Sequence, residues 1–404
     1  MSSVHGIVAD GFEPVRDTFA GLVAAGDLGD GGAAYAAYHE GTLVADLWAG
    51  SARAGQAWEQ GTRNMWMSVA KALTALCMQM LHDRGQLDIE ATVASYWPEF
   101  GQAGKEAITI RQVLAHTCGL PGSPELTSLI DIETGAGIDE QDKILAIIEA
   151  MSPVWEPGTQ VGYHALTYSW ILGEVLRRID GRRLGVFFRE EVALPLGCED
   201  LHIGTPVAEH DHVADTMHLM VPPGAPELAV QYMDQVFARA RDASSPAGLS
   251  LLGNGETSVL DLAPEAFNSV AGRTAELGGT GLTGTARSVA RVFAAIVEPD
   301  GLGGVVLASP ASLATFSEIQ TTDTDVALLI PIARALGYWR NISLAGRPQA
   351  CGPNEQTVAH SGIGGQLGFA DPVARVAGAY TRNHHTAFPV APLLLNNALY
   401  HCLS

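Results

Sequence analysis

Ser68 and Lys71 stand three residues apart in NMWMSVAKALTALCMQMLHDRG, residues 64–85. On a helix that spacing puts two side chains on one face, within reach of each other. A serine hydroxyl becomes a nucleophile when a base takes its proton, and a lysine amine becomes such a base when its pKa is lowered. The surroundings would lower it. From Val69 to Leu81 apolar residues fall on every side, which predicts a helix buried all round, and burial disfavours an ammonium. Ser68, at the first turn, would meet free backbone N–H groups and the positive end of the helix dipole. That suits an alkoxide and then an oxyanion. The plain alternative is an N-cap serine and a lysine whose amine reaches back to solvent.

The elements that must position this pair can be read in order. The stretch has no Gly or Pro until Gly85, which predicts the helix stop. Upstream, residues 11–26 carry Phe12, Val15, Phe19, Leu22 and Val23 near helical spacing. AAYAAYH and TLVADLWAG, joined through His39-Glu40-Gly41-Thr42, predict a β-hairpin. Downstream, ITI reads as a strand, with a helix starting at Arg111. Residues 123–140 read as loop, and 141–150, 165–179 and 184–194 as helices. Residues 204–264 are loop-rich around a helix at 229–240. Thr285 caps a helix after the Gly/Thr turn GGTGLTG, which lacks the lysine of a phosphate loop. Strand-like runs return at 335–345, 357–360, 366–370 and 375–381, before a closing helix at 389–402. Strands at both ends with helices between predict an α+β fold. Its antiparallel sheet would be built from 1–90 and 280–404. A mainly helical domain, with loop-rich pocket segments, would span 91–279.

Composition narrows the function classes. Hydrophobic residues at 47% and charged residues at 17% describe a globular chain. A net charge of −21 opposes binding to nucleic acid and to anionic membranes. The five cysteines are scattered, with no CxxC and no metal-ligand spacing. No apolar run of spanning length and no leader-like start is visible, so the expected location is the cytoplasm. There is no G-x-S-x-G elbow.

S-x-x-K at the head of a buried helix resembles the signature of serine β-lactamases and penicillin-binding proteins. HTCGLPG at 116–122 is similar to the SHTSGLP segment of the class C branch. GKEAITIRQVL before it and WEPGTQVGYHALTYSWILGEVL after it follow that branch in order, and the likeness runs from the Tyr38–Trp48 hairpin to Asp371. The family that the chain most resembles is that of family VIII carboxylesterases and related acyltransferases.

The resemblance implies further roles. Tyr163 falls on the tyrosine of the family's Y-x-N motif and would share with Lys71 the task of deprotonating Ser68. Ala165 replaces the motif's asparagine, and His164 is a candidate pocket residue or, equally, a surface histidine. His360-Ser361-Gly362 occupies the place of K-T-G, with histidine for lysine. The N–H groups of Ser68 and Ile363 would then form the oxyanion hole, and Gly362 would let substrate approach closely. Trp339, just before that motif, is a candidate for the acyl pocket, and His116 would bridge loop backbone. Ala165 and His360 both argue against penicillin-like acids. The implied activity is a serine carboxylesterase acting through a Ser68 acyl-enzyme on small-molecule esters, needing no metal or cofactor. The alternative is a transacylase that passes the acyl group to an amine or alcohol. A β-lactamase or D-Ala-D-Ala peptidase stands further off, and a non-catalytic penicillin-binding-like sensor further still.

Overall fold

The two ends of the chain meet in one antiparallel sheet. A computed structural model describes residues 3–221, 227–261, 264–344, 349–386 and 390–403. Along the sheet the strands run His5–Val8, Thr42–Arg53, Gly32–His39, Val376–Arg382, Leu367–Asp371, Val358–Ser361 and Trp339–Arg340. Its centre is the pairing of Gly32–His39 with Val376–Arg382, with Ala36 opposite Ala379 and Tyr35 opposite Tyr380. The predicted hairpin is present: Thr42–Arg53 pairs Gly32–His39, and Glu40 and Gly41 both take positive φ in the turn.

Period-two alternation divides each central strand between two cores. Ala33, Tyr35 and Ala37 pack with Val15 and Phe19 of the Glu13–Ala24 helix and with Leu395 and Leu399 of the Val390–His401 helix. Ala34, Ala36 and Tyr38 face the other way, into a larger core shared with Val289 and Phe293 of the Ala286–Val297 helix. That helix lies close because the sheet is small-surfaced beneath it. A Cβ added at Gly368 would fall 2.2 Å from the Phe293 ring.

The Ala70–Asp83 helix runs through the larger core, and every residue from Ala70 to Leu81 is buried. Gly85, at φ +68°, ends it. Gly85 N–H donates to His82 O, and Gln86 N–H to Leu81 O, the paired bonds of a Schellman stop. Among the described residues no helix is long and apolar enough to cross a membrane.

Three local expectations need correction. ITI is not a strand: Thr109 caps the Ile110–Leu114 helix in a reciprocal pair with Gln112. Residues 123–140 are not all loop, since Ser123 and Pro124 start a helix to Leu129. Of the run 335–345, the described residues 335–344 yield only the two-residue strand Trp339–Arg340, and 345 lies outside the described residues. Gly337, at φ +81°, turns the chain there, and Ala335 N–H donates to Tyr338 O.

Candidate active site

Ser68 is reached through a chain segment pinned on both sides. Asn64–Met65 pairs with Leu282–Gly284, and Asn64 Nδ2 donates to Thr381 Oγ1 at 2.6 Å and Arg382 O at 2.8 Å. Trp66 donates from its backbone N–H to Leu282 O (2.8 Å) and from Nε1 to Gly284 O (2.9 Å). Met67 then takes φ +48°, a conformation costly for a non-glycine residue. Ser68 follows on the single 3-10 turn Met67–Val69 that leads into the buried helix.

Lys71 is fully buried, and among the described residues no carboxylate pairs with its amine. Its Nζ lies 2.7 Å from Ala165 O, 2.9 Å from Gly279 O and 3.4 Å from Ser68 Oγ. Desolvation, reinforced by the nearby Arg334 guanidinium, holds its pKa well below the ordinary 10.5. An amine whose two N–H groups serve the two carbonyls turns its remaining tetrahedral position toward Ser68.

Tyr163 covers the pair. Its ring centre is 4.7 Å from Lys71 Nζ, and its hydroxyl is on the Ser68 side of the ring. Burial pushes the phenol's pKa up from its usual 10. The Tyr163 backbone is tied at both polar groups. Its N–H donates to Asp325 Oδ1 at 3.0 Å, and its carbonyl accepts from Ser250 Oγ. Ser250 Oγ also accepts from Ala165 N–H (3.1 Å) and so fixes the carbonyl that meets Lys71.

His116 bridges loop backbone as expected: its Nδ1 accepts from His164 N–H at 3.0 Å, and its ring sits 4.9 Å from Tyr163. His164 is not the surface histidine that the sequence equally allowed. It is buried, and its Nε2 accepts from Leu120 N–H at 2.9 Å, beside Cys118 Sγ at 3.2 Å. Burial lowers its pKa to about 3, so it is a neutral clamp on the HTCGLPG turn.

His360, on the Val358–Ser361 strand, closes the far side. Its Nδ1 is 2.8 Å from Ser361 O. A carbonyl only accepts, so Nδ1 carries the proton and Nε2 is left as an acceptor. Burial, with Lys71 and Arg334 nearby, keeps the imidazole neutral. Its ring lies 4.7 Å from Trp339, which is half-buried, and 6.5 Å from Tyr163. Ser361 alternates to the opposite face of the strand. There it lines, with Trp339, Ile332 and Gln366, a groove of about 300 Å³.

Gly362 brings this strand end against the segment entering Ser68. A Cβ there would lie 2.7 Å from Trp66 O and 2.9 Å from Gln366 Oε1. Half-buried Ile363 follows. Among the described residues no acceptor is bonded to the Ser68 or Ile363 N–H. Gly362→Ala is therefore expected to push the strand end off the Ser68 turn, lowering kcat about 10²-fold while the protein stays folded. Kinetics on a p-nitrophenyl ester beside a thermal melt would check both halves.

The sequence reading passed over Gly279, Asp325 and Arg334. Gly279 lies in the dismissed GGTGLTG turn, and a Cβ on it would stand 3.0 Å from Lys71 Nζ. Arg334 carried a visible signal, a lone cation in the apolar run LLIPIARALGYW. Among the described residues no three His, Cys, Asp or Glu side chains gather as a metal site would need.

Residues 15–399 match the beta-lactamase family. The chain is 31% identical over 366 residues to the esterase/beta-lactamase LipL of Mycobacterium tuberculosis, covering 87% of this chain and 77% of that protein. A penicillin-binding protein homologue from Caulobacter crescentus superposes with TM-score 0.83 at 31% identity, covering 99% of this chain and 100% of that one. A crystallised family VIII carboxylesterase does so with TM-score 0.83 at 30% identity and the same coverage. The chain belongs to the beta-lactamase family, with an esterase and penicillin-binding protein homologues among its relatives.

Proposed function

We propose that this protein is a serine carboxylesterase that forms an acyl-enzyme on Ser68. The observation that carries the reading is Lys71: a buried amine held by two backbone carbonyls, without a carboxylate partner, 3.4 Å from the Ser68 hydroxyl. A neutral amine there accepts the Ser68 proton as Oγ attacks the ester carbonyl. The resulting ammonium has three donors for three acceptors in the same positions, so the proton moves without rearrangement. The N–H groups of Ser68 and Ile363 would receive the oxyanion. When the tetrahedral intermediate collapses, the C–O bond to the alcohol breaks. The Tyr163 hydroxyl passes a proton to the departing oxygen and is reprotonated from Lys71. Water attacks the acyl-enzyme by the same route reversed.

The substrate preference follows from charge. His360 is neutral and Ala165 offers no side-chain amide, so an acid group or peptide amide on the substrate gains little here. The proposed substrates are uncharged small carboxylic esters, with Trp339 at the acyl side. Incubation with p-nitrophenyl acetate followed by peptide mass spectrometry should place an acetyl group on Ser68, with p-nitrophenol released in a burst. Absence of both adduct and turnover would overturn the reading. An acylated alcohol or amine as the main product, with turnover accelerated by that acceptor, would make the protein a transacylase.

A further inference from the structure

The turn that carries Ile363 rests on two buried side chains that the proposed reaction does not use, Gln366 and His385. The turn closes on itself: Gly362 N–H donates to Gln366 O at 2.8 Å, and Gly365 N–H to Gly362 O at 3.3 Å. Thr386 N–H donates to Gly364 O at 3.0 Å. Each glycine flanking Ile363 is backed by one of the two side chains. A Cβ on Gly362 would stand 2.9 Å from Gln366 Oε1 on one side and 2.7 Å from Trp66 O on the other. A Cβ on Gly364, at φ +100°, would overlap the His385 ring. The two side chains also bond each other, with Gln366 Nε2 3.0 Å from His385 Nε2. The same amide nitrogen donates to Arg382 O at 3.2 Å, the carbonyl that accepts from Asn64 Nδ2 at 2.8 Å. One carbonyl thus joins the Ile363 turn to the segment that leads into Ser68.

We propose that Gln366 and His385 are positioning residues of the oxyanion hole: bonded to each other and to Arg382 O, they fix the Gly362–Ile363 peptide against the Ser68 turn. This rests on the esterase reading for its purpose. Gln366 Nε2 donates, so His385 Nε2 accepts and its Nδ1 carries the proton. Burial lowers the His385 pKa to about 3, so the acceptor stays neutral. Among the described residues nothing bonds to Gln366 Oε1 or His385 Nδ1. Unpaired buried polar atoms cost stability, and an apolar pair of the same shape would fold at least as well. What the polar pair adds is a fixed position. An oxyanion donor works only where the charge develops, and a misplacement of about 1 Å costs on the order of 10²-fold in rate.

Gln366→Met keeps a side chain of similar length behind Gly362 and removes both donors. In the whole protein it should lower kcat about 10-fold per site titrated by the p-nitrophenol burst, with KM within about twofold. Labelling of Ser68 by a p-nitrophenyl alkylphosphonate, which places an oxyanion in the same hole, should slow by the same factor. A merely destabilised fold would lower the number of titrated sites and leave the rate per site. The double variant Gln366→Met/His385→Phe strands neither partner and should show the same loss if the single variant fails to fold. In protein labelled with ¹⁵N-isoleucine, with Ile363→Val to assign the signal, the order parameter of the Ile363 amide should fall from about 0.85 toward about 0.6 in either variant. An unchanged rate per site, or an Ile363 amide as rigid in a folded variant as in the wild type, would overturn the proposal. If the wild-type protein gives neither burst nor Ser68 adduct, the esterase reading falls, and the relaxation measurement still decides whether Gln366 and His385 hold Ile363.

Discussion

Alanine at position 68 should leave a folded protein without esterase turnover. Ser68 is nearly buried, and the groups beside its hydroxyl are the Lys71 amine and Tyr163. Ser68→Ala therefore removes the atom proposed to be acylated and only one hydroxyl's worth of packing. The expected fall in kcat is on the order of 10⁴-fold or more, the scale seen when a nucleophile is removed from a machinery that acts as a unit. Stability should change by less than about 1 kcal/mol. Two measurements separate the cases: the labelling by p-nitrophenyl acetate should vanish, and the urea midpoint should stay. A variant that still carries an acetyl group and turns over would place the nucleophile elsewhere.

Lys71→Met should be nearly as damaging to catalysis, by about 10³-fold or more in kcat/KM, and should reveal a pH signature in stability. In the folded protein the Lys71 pKa lies well below its ordinary 10.5. Between those two values the unfolded chain binds a proton that the folded protein does not, so folding stability rises with pH across that window. Above 10.5 the amine is neutral in both states and contributes no slope. Below the lowered value it is charged in both, and the penalty of burying it is constant. Methionine fills the same volume and does not titrate. The stability of the wild type relative to Lys71→Met should therefore increase by up to about 1.4 kcal/mol per pH unit inside the window. Urea unfolding of both proteins at several pH values from neutral to alkaline would show it. The activity profile should carry the matching acid limb, with kcat/KM falling as Lys71 gains its proton. Tyr163, whose pKa is raised, should add no alkaline limb below pH 10. A relative stability that is flat with pH would mean that Lys71 keeps its ordinary protonation.

The hairpin, the buried helix and its glycine stop were legible because each is written in local chemistry. Glu40-Gly41 makes the turn, the apolar run Val69–Leu81 makes the burial, and Gly85 supplies the left-handed stop. Ser68, Lys71 and Tyr163 were legible as residue types, and the fold brings them together. What holds Lys71 was not legible. Ala165 and Gly279 serve it through backbone carbonyls, and a carbonyl belongs to every residue, so no side-chain pattern announces it. His164 stayed open between pocket and surface for a related reason: the partner of its ring is a backbone N–H in a neighbouring loop, which no side-chain pattern announces. The 335–345 run had strand composition, and one glycine conformation at Gly337 overrode it. The Thr109 cap likewise overrode the β-branched character of ITI. In each case a single backbone requirement outweighed a stretch of propensity.

The pairing of Gly32–His39 with Val376–Arg382 at the sheet's centre has a consequence for how the protein is made. During synthesis the hairpin of Gly32–His39 and Thr42–Arg53 emerges long before Val376–Arg382, and one of its edges stays unpaired until that strand follows. The Ser68 turn waits as long, because Asn64 is anchored to Thr381 and Arg382 and the Gly362 strand end is its wall. Closing so long a loop is slow, and the open strand edge invites pairing with other chains in the meantime. Emergence of Val376–Arg382, and not the appearance of Ser68, is the event that lets the Ser68 turn form. A nascent chain stalled before residue 376 should remain inert toward acylating esters and rely on chaperones to stay dispersed.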